Sequence, residues 1–390
     1  METIREKTIL KVGSLFSGVG GIDIGFEQAE NPRAEFRVAW ASEFDPYAAQ
    51  TYRVNHPGVP MLEGDINDVI LPKESDRPEY YSRLNEIMFS GPIDVLEGGP
   101  PCQAFSVAGL RKGFEDKKGR GVMFHAMINV IDILDLKFGK KPRFVLLENV
   151  KNLKTHDGGN TYRVIRDEFE KRGYTIKDAV LNTMNCTDVP QNRERIFMIA
   201  FLSKEDAERF TLFDNPEALE KKHTAEDWER IVSGIIDDDE DRESLFYTKE
   251  KFPHYFVTEE EYEAGWKEKK KDRVNLVESV TKRNTFYQIR RGMYIRENRT
   301  GVCPTLTANM GAGGHNVPLV LTSKGIRKLS EKEAFLLQGF PVGDGFTLPE
   351  EIDGRPYARS HLYKQAGNAV SVPVLRLIAQ GLLDEVIAPE

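Results

Sequence analysis

Cysteine is scarce in this chain. Only Cys102, Cys186 and Cys303 occur in 390 residues, and none forms a C-x-x-C. Three thiols cannot all pair, and no metal-ligand spacing is present, so neither a disulfide framework nor a zinc site is expected. Long apolar runs are also missing. Nothing approaches the roughly 18 residues that span a bilayer, and the opening METIREKTIL lacks a signal peptide's apolar core, so no membrane partner is expected and the default location is the cytoplasm. Internal repeats and low-complexity tracts are absent, as are a P-loop and the dinucleotide fingerprint G-x-G-x-x-G. Basic excess is missing too: 54 Lys and Arg stand against 62 Asp and Glu, a formal charge of −8. That argues against a protein that coats nucleic acid, but it leaves room for a basic cleft, because phosphate contact depends on local clustering. Acids concentrate in IIDDDEDRE (235–243), and bases gather in RKGFEDKKGR, KEKKKDR and QIRRGMYIRENR.

What is present is a soluble composition, 40% hydrophobic and 30% charged, in a chain long enough for one large domain and a smaller one. From Ile9 to Ala200 short apolar runs alternate with amphipathic stretches, the pattern of βα units and a mostly parallel, doubly wound sheet. Strands are expected at KVGSLF, FRVAWAS, IDVLEG, RFVLLEN, YTIKDAVLN and RIFMIAF. Helices are expected at GIDIGFEQA, DPYAAQTYRVNH, 124–136 and NTYRVIRDEFEKRG, the last stopped by Gly173. Beyond about Phe201 the period becomes irregular, and near the C-terminus two helices return. Ser330, with Glu333 three residues on, opens the first of these as a capping box, and SVPVLRLIAQGLLDEVI forms the second. The expected domains are 1–202 (large), 203–355 (small and irregular) and 356–390 (returning to the large one).

The first strand runs into LFSGVGGIDIGF. Glycines there let the backbone approach a ligand, and the helix behind them offers unpaired N–H groups. Gly18 and Gly20 form G-x-G, but Asp occupies position 23, which breaks the dinucleotide pattern. Glu43 ends the second strand where a carboxylate could accept both hydroxyls of a ribose. Asp65 ends the third where it could meet an adenine amino group, with Phe44 and Ile66 as apolar walls. Each acid alone also reads as a helix cap or turn former. Three such loops in strand order suit an adenosine ligand, and without a pyrophosphate motif that ligand is best S-adenosylmethionine.

The fourth loop is EGGPPCQAFS. Cys102 there is either a small buried hydrophobe or a reactive thiol at the carboxyl end of a strand, where α/β proteins place chemistry. Glu148 leaves the apolar strand in LLENV and either protrudes into a cleft or is satisfied by backbone at the strand end. VPQNRERIFMIA sets Arg193 and Arg195 at alternate positions, so that both point the same way on entering a strand, or simply form a solvated face.

Taken in order, the glycine turn, the two acids, Pro-Pro-Cys, Glu-Asn-Val and Gln-x-Arg-x-Arg make the chain resemble the DNA (cytosine-5)-methyltransferases of bacterial restriction-modification systems. The resemblance runs from FSGVGG to QAGNAVSVPV. It implies a Rossmann-like S-adenosylmethionine-dependent methyltransferase fold with a smaller target-recognition domain, and it implies that Cys102 is the nucleophile. Glu148 would hold ring nitrogen 3 and the exocyclic amine of a flipped-out cytosine, Arg195 its carbonyl oxygen, and Arg193 would brace the cysteine loop and Glu148. The same resemblance puts the cofactor, with S-adenosylhomocysteine as product and no metal, against Phe16, Ser17, Gly18, Gly20, Gly21, Glu43, Phe44, Asp65, Ile66, Pro100, Asn368 and Val370. Gln103 to Gly121 would form a closing loop in which Ser106 touches phosphate and Gln103 touches DNA.

Within RENRTGVCPTLTANMGAGGHNVPLV, Thr305-Leu306 matches the family's Thr-Leu pair. Arg290, Arg291, Arg296, Arg299, Thr305, Asn309 and His315 are the residues expected to meet duplex DNA, and each also reads as an ordinary surface-loop residue. The further expectations are a monomer in a bacterial cytoplasm, associated with the nucleoid, paired in function with a restriction endonuclease and holding no stable protein partner. A transfer RNA cytosine-5 methyltransferase shares the catalytic motifs and is the alternative reading; a catalytically silent DNA-binding module is a further one.

Overall fold

The computed structural model describes residues 7–100, 122–267, 272–312 and 316–388. They divide into two compact units, one of 1–182, 194–220 and 370–390, the other of 183–193 and 221–369.

The first unit is built on a mostly parallel sheet. Among the described residues it has seven strands: β1 (Thr8–Leu15), β2 (Ala34–Glu43), β3 (Met61–Glu63), β4 (Val95–Gly98), β5 (Phe144–Val150), β6 (Thr175–Asn182) and, after the short β7 (Gln191–Asn192) of the other unit, β8 (Glu194–Phe201). The spatial order is β3-β2-β1-β4-β5-β8-β6, and β8 runs antiparallel to both of its neighbours. β1 and β4 lie side by side although β2 and β3 come between them in sequence, so the winding reverses between them. Open α/β sheets bind ligands beyond the carboxyl ends of the strands at such a point.

The local chemistry accounts for these elements. In β5 the residues from Phe144 to Leu147 are all buried, as expected for a strand covered on both faces. Helix Pro46–Asn55 starts where Asp45 accepts the Tyr47 N–H and a proline sits at the first helical position. Helix Asn160–Glu170 buries Thr161, Ile165 and Phe169, spaced by four, and ends before Gly173 at φ 87°. Helix Val372–Gly381 packs on α1 (Gly21–Glu27) so tightly that a Cβ at Gly25 would lie 2.5 Å from the Leu375 Cβ. Gly25 is what lets the C-terminal segment close onto this unit.

The second unit holds a four-stranded antiparallel sheet of β9 (Tyr287–Arg290), β10 (Tyr294–Glu297), β12 (Leu319–Thr322) and β13 (Gly325–Lys328), in the order β10-β9-β12-β13. The short β11 (Cys303–Pro304) pairs instead with β7. Tyr247, Tyr255, Leu276, Tyr287, Leu319 and Ile326 are among the residues of its core. The Ser330 capping box forms as expected. Its Glu333 also closes a bidentate pair with Arg327 at 2.6 and 2.8 Å, both side chains being fully buried.

The division differs from the expected one in three places. Residues 183–193 belong to the second unit, where Gln191 and Asn192 pair with Cys303 and Pro304. Residues 203–220 stay with the first unit, because Phe210 packs on Phe201 of β8 and Lys177 holds both Asp214 and the Phe210 carbonyl. Residues 356–369 stay with the second, where the Ala366 carbonyl accepts from Gln338 and a Cβ at Gly367 would collide with the Thr307 backbone at 2.1 Å.

Candidate active site

In the first unit the residues singled out from sequence gather at the carboxyl ends of the strands. The turn after β1 is an unusual backbone: Phe16, Gly18 and Gly20 all have positive φ, of 56°, 58° and 85°. At Phe16 that conformation costs on the order of 1 kcal/mol, which the surroundings must offset. Glu43 does so from the end of β2. One of its carboxylate oxygens accepts the Gly18 N–H and the other the Asp45 N–H, both at 2.8 Å, while the Ser17 N–H reaches the Ser42 carbonyl. Burial pushes the Glu43 carboxyl upward, and the two N–H groups work against that shift. Among the described residues, space is open beside Gly18, with nothing within 4 Å of an added Cβ, and the buried Ser17 hydroxyl has no hydrogen-bond partner. Phe44 is 68% exposed. Asp65 caps the helix Ile66–Ile70 by accepting from the Asn67 backbone and side-chain amides, and Ile66 is buried behind it. Thus both acids do the structural work of turn and cap while facing the same end of the sheet. An open glycine cradle, an unpartnered hydroxyl, a carboxylate, an exposed ring and a second carboxylate form a donor set that fits a methionine-bearing nucleoside.

At the ends of β4 and β5, the Arg195 Nε lies 3.0 Å from Glu148 Oε1, an ion pair without the alignment of a hydrogen bond. The register explains the contact: β5 and β8 are antiparallel, so Glu148 pairs with Phe197 and Val150 with Arg195. Gly99 leaves little room here: a Cβ on it would stand 3.2 Å from Glu148 Oε2, so that the carboxylate would have to shift by a few tenths of an ångström. The next residue of the motif, Asn149, was not singled out from sequence. Buried at the end of β5, its amide donates to the Pro100 carbonyl at 2.8 Å and its oxygen accepts the Val150 N–H, which fixes the turn two residues before Cys102. An asparagine with no apolar role in a strand end was the available signal.

Arg193 does not share the direction of Arg195. β8 begins at Glu194, so the strand alternation does not extend back to Arg193. Its guanidinium donates within the second unit to the carbonyls of Leu306 at 2.9 Å, Ala369 at 2.6 Å and Gly367 at 3.4 Å. Gln191 also belongs there, accepting from the Leu306 N–H and donating to Gln338. The Thr305 hydroxyl donates to the Asn192 carbonyl. The Gln-x-Arg and Thr-Leu stretches are therefore sewn together, which explains their residue types without a ligand. Asn368 ends the helix Arg359–Asn368 exposed, whereas Val370, buried, belongs to the first unit.

Arg290, Arg291, Arg296 and Arg299 are exposed on and just after the β9–β10 hairpin and form no ion pair among the described residues. Other arginines of that unit, Arg242, Arg273, Arg283 and Arg327, are paired with carboxylates. Asn309 is exposed in the 3₁₀ turn Ala308–Ala312. Cys102, Gln103, Ser106 and His315 lie outside the described residues. Cys186 and Cys303 are buried and form no disulfide among the described residues, and burial pushes the Cys303 thiol well up, as befits an inert side chain. No described helix is long and apolar enough to cross a membrane, and no cluster of three or more metal-ligating side chains occurs among the described residues.

Comparison with known proteins gives a concordant result. The family model described as C-5 cytosine-specific DNA methylase matches residues 10–384. The Type II methyltransferase M.Bsp6I of Bacillus sp. (strain RFL6) is 42% identical over 374 residues, covering 96% of this chain and 98% of that protein. The Type II methyltransferase M.HaeII of Haemophilus aegyptius is 35% identical, covering 96% and 93%. Among solved structures, the Entamoeba histolytica methyltransferase EhMeth superposes with a TM-score of 0.59 over 97% of this chain and 99% of that one, at 17% identity, a likeness of fold.

Proposed function

The chain belongs to the C-5 cytosine-specific DNA methylase family and is a DNA cytosine-5 methyltransferase; on that footing we propose how its residues divide the reaction. The methyl donor is S-adenosylmethionine, whose sulfonium supplies an electrophilic methyl group. Glu43 takes the ribose hydroxyls, Phe44 and Ile66 flank the adenine, Asp65 meets its amino group, and the turn Phe16–Gly21 carries the methionine portion together with Pro100, Asn368 and Val370.

The target carbon of cytosine is too electron-poor to attack a methyl sulfonium unaided. The Cys102 thiolate adds to carbon 6 and makes carbon 5 an enamine nucleophile. Glu148 binds ring nitrogen 3 and the exocyclic amine, and Arg195 binds the carbonyl oxygen and steadies Glu148. After transfer, the carbon 5 proton is removed and the thiolate leaves. A base stacked on both faces is out of reach of this chemistry, so the cytosine is flipped from the duplex, at a cost of a few kcal/mol. Arg193 serves as a positioning residue through its three carbonyl bonds. The exposed, unpaired arginines of the β9–β10 hairpin and Arg299 supply contacts to DNA. The product protects a short recurring sequence from a cognate nuclease, and the enzyme acts as a monomer in the bacterial cytoplasm, at the nucleoid.

The observation that carries this reading is the Glu148–Arg195 pair beside Gly99, at the strand end that leads to Pro-Pro-Cys. The test is incubation with labelled S-adenosylmethionine and unmethylated genomic DNA, or with transfer RNA, followed by bisulfite mapping. Methylcytosine at one short DNA sequence is the expected result. Label confined to transfer RNA, or methylation surviving Cys102→Ser, refutes it.

A further inference from the structure

Beneath the glycine turn lies a set of polar side chains that the mechanism above does not use. Ser14 of β1, Asp23 of α1, Tyr52 of the helix Pro46–Asn55 and Glu97 of β4 are each 0% exposed, and His56, capping that helix, is 8% exposed. Ser14 and Glu97 are register partners at the reversal of the sheet. The Ser14 hydroxyl donates to Asp23 Oδ2 at 3.1 Å, and the carboxyl groups of Asp23 and Glu97 are within hydrogen-bonding reach of each other. Both Glu97 oxygens, Asp23 Oδ1, the Tyr52 hydroxyl and His56 Nε2 lack an aligned partner among the described residues.

No cation offsets this pair among the described residues. The titratable groups that face it are Glu27 of α1, 4.0 Å from the His56 ring, and the Tyr52 phenol and His56 itself, which burial holds neutral. Two ionised carboxylates side by side in so dry a place repel each other and have lost their hydration, so one proton must stay between them. The pair is also placed where charge in the crevice would be felt. A Cβ at Gly20 would lie 2.3 Å from His56 Nε2, so the turn rests directly on the cluster, and the Ser17 hydroxyl above it is buried without a partner among the described residues. Across so little backbone, and away from water, a fixed positive charge acts with little screening.

We propose that the Asp23–Glu97 pair shares one proton when no methyl donor is bound and releases it to solvent when a sulfonium-bearing donor binds, so that the site's charge distinguishes the cationic donor from its neutral thioether product. The proposal rests on S-adenosylmethionine being the donor. The carboxyl O–H bond breaks, its electron pair remains on the pair as a second negative charge, and the proton passes to buffer. After methyl transfer the ligand has lost its sulfonium charge, the pair recovers a proton, and the spent product is held less tightly.

Calorimetry of the whole protein near pH 7, in buffers of different ionisation enthalpy, tests this with S-adenosylmethionine and S-adenosylhomocysteine. Binding of the donor should release roughly half to one proton, and binding of the product close to none. Glu97→Gln should abolish the release and reduce the preference for donor over product by roughly tenfold, one pKa unit's worth; Asp23→Asn provides the same reading from the other partner. The wild-type protein offers a test free of substitution: its difference infrared spectrum should lose a protonated-carboxyl band with the donor and keep it with the product. Donor binding whose enthalpy tracks no buffer term, with that band unchanged, overturns the proposal and leaves the cofactor assignment standing. Failure of both ligands to bind overturns the cofactor assignment, and the proposal with it.

Discussion

Glu43→Ala should damage the protein before any ligand is added, and the structure indicates by how much. Each Glu43 oxygen accepts one backbone N–H at 2.8 Å, from Gly18 and from Asp45. Hydrogen bonds to a charged acceptor contribute about 1.5–3 kcal/mol each, and the lower end applies to a half-buried carboxylate, so the loss sums to about 3 kcal/mol. The turn released in this way contains the positive-φ Phe16, and the Ser17 N–H to Ser42 carbonyl bond is left to hold it. Chemical denaturation without ligand should show that loss, and in a unit of this size the melting temperature should fall by roughly 6–12 °C. Glu43→Gln, which keeps one acceptor, should lose about half as much. Calorimetry should then show S-adenosylhomocysteine binding weakened by roughly 10- to 100-fold in the alanine variant, from the lost ribose contacts. An unliganded stability within about 0.5 kcal/mol of wild type would contradict the account of the turn, whereas unchanged affinity in a destabilised variant would remove Glu43 from the ribose.

Further expectations follow from other parts of the molecule. Glu148→Gln should reduce turnover by roughly 100-fold or more while donor affinity stays close to wild type, because the residue is proposed to act on the base; equal losses in both would make it a structural residue. Arg327→Met leaves the fully buried Glu333 unpaired and should cost about 3–5 kcal/mol, measured by urea unfolding, and adding Glu333→Leu should recover much of it. A double variant no better than the single one would mean that packing, not charge, decides. Asp23 is held at about 7, chiefly by burial and next by repulsion from Glu27, against 3.8 unperturbed. The folded state then keeps its proton longer than the unfolded one, so this contribution is fully present below about pH 4 and is lost as pH rises to about 7, on the order of 4 kcal/mol in all. Comparing wild type with Asp23→Asn across that range isolates the effect, and a stability difference independent of pH would rule out the buried proton.

The local elements were legible because their cues are local. Asp45-Pro46 opening a helix, Ser330 with Glu333 as a box, Gly173 as a stop and the apolar run of β5 each act within a few residues, so periodicity and turn chemistry reveal them. The direction of β8 was not legible, since an apolar strand reads the same whichever way its neighbours run. The unit boundaries were only partly legible: Phe210 and Gly367 choose sides through contacts that composition does not record.

The sequence by itself determined the repertoire: which chemistry-bearing residues exist, in what order, and on which strand ends they fall, because order along the chain and backbone propensity are properties of the chain. Only the tertiary structure decided their partners. The antiparallel register brought Arg195 to Glu148, the end of β7 left Arg193 among carbonyls, and the crossing from β1 to β4 placed Glu97 beside Asp23 with no cation among the described residues to balance them. Pairing across a sheet depends on where distant segments meet, and the energy of a buried charge depends on everything around it.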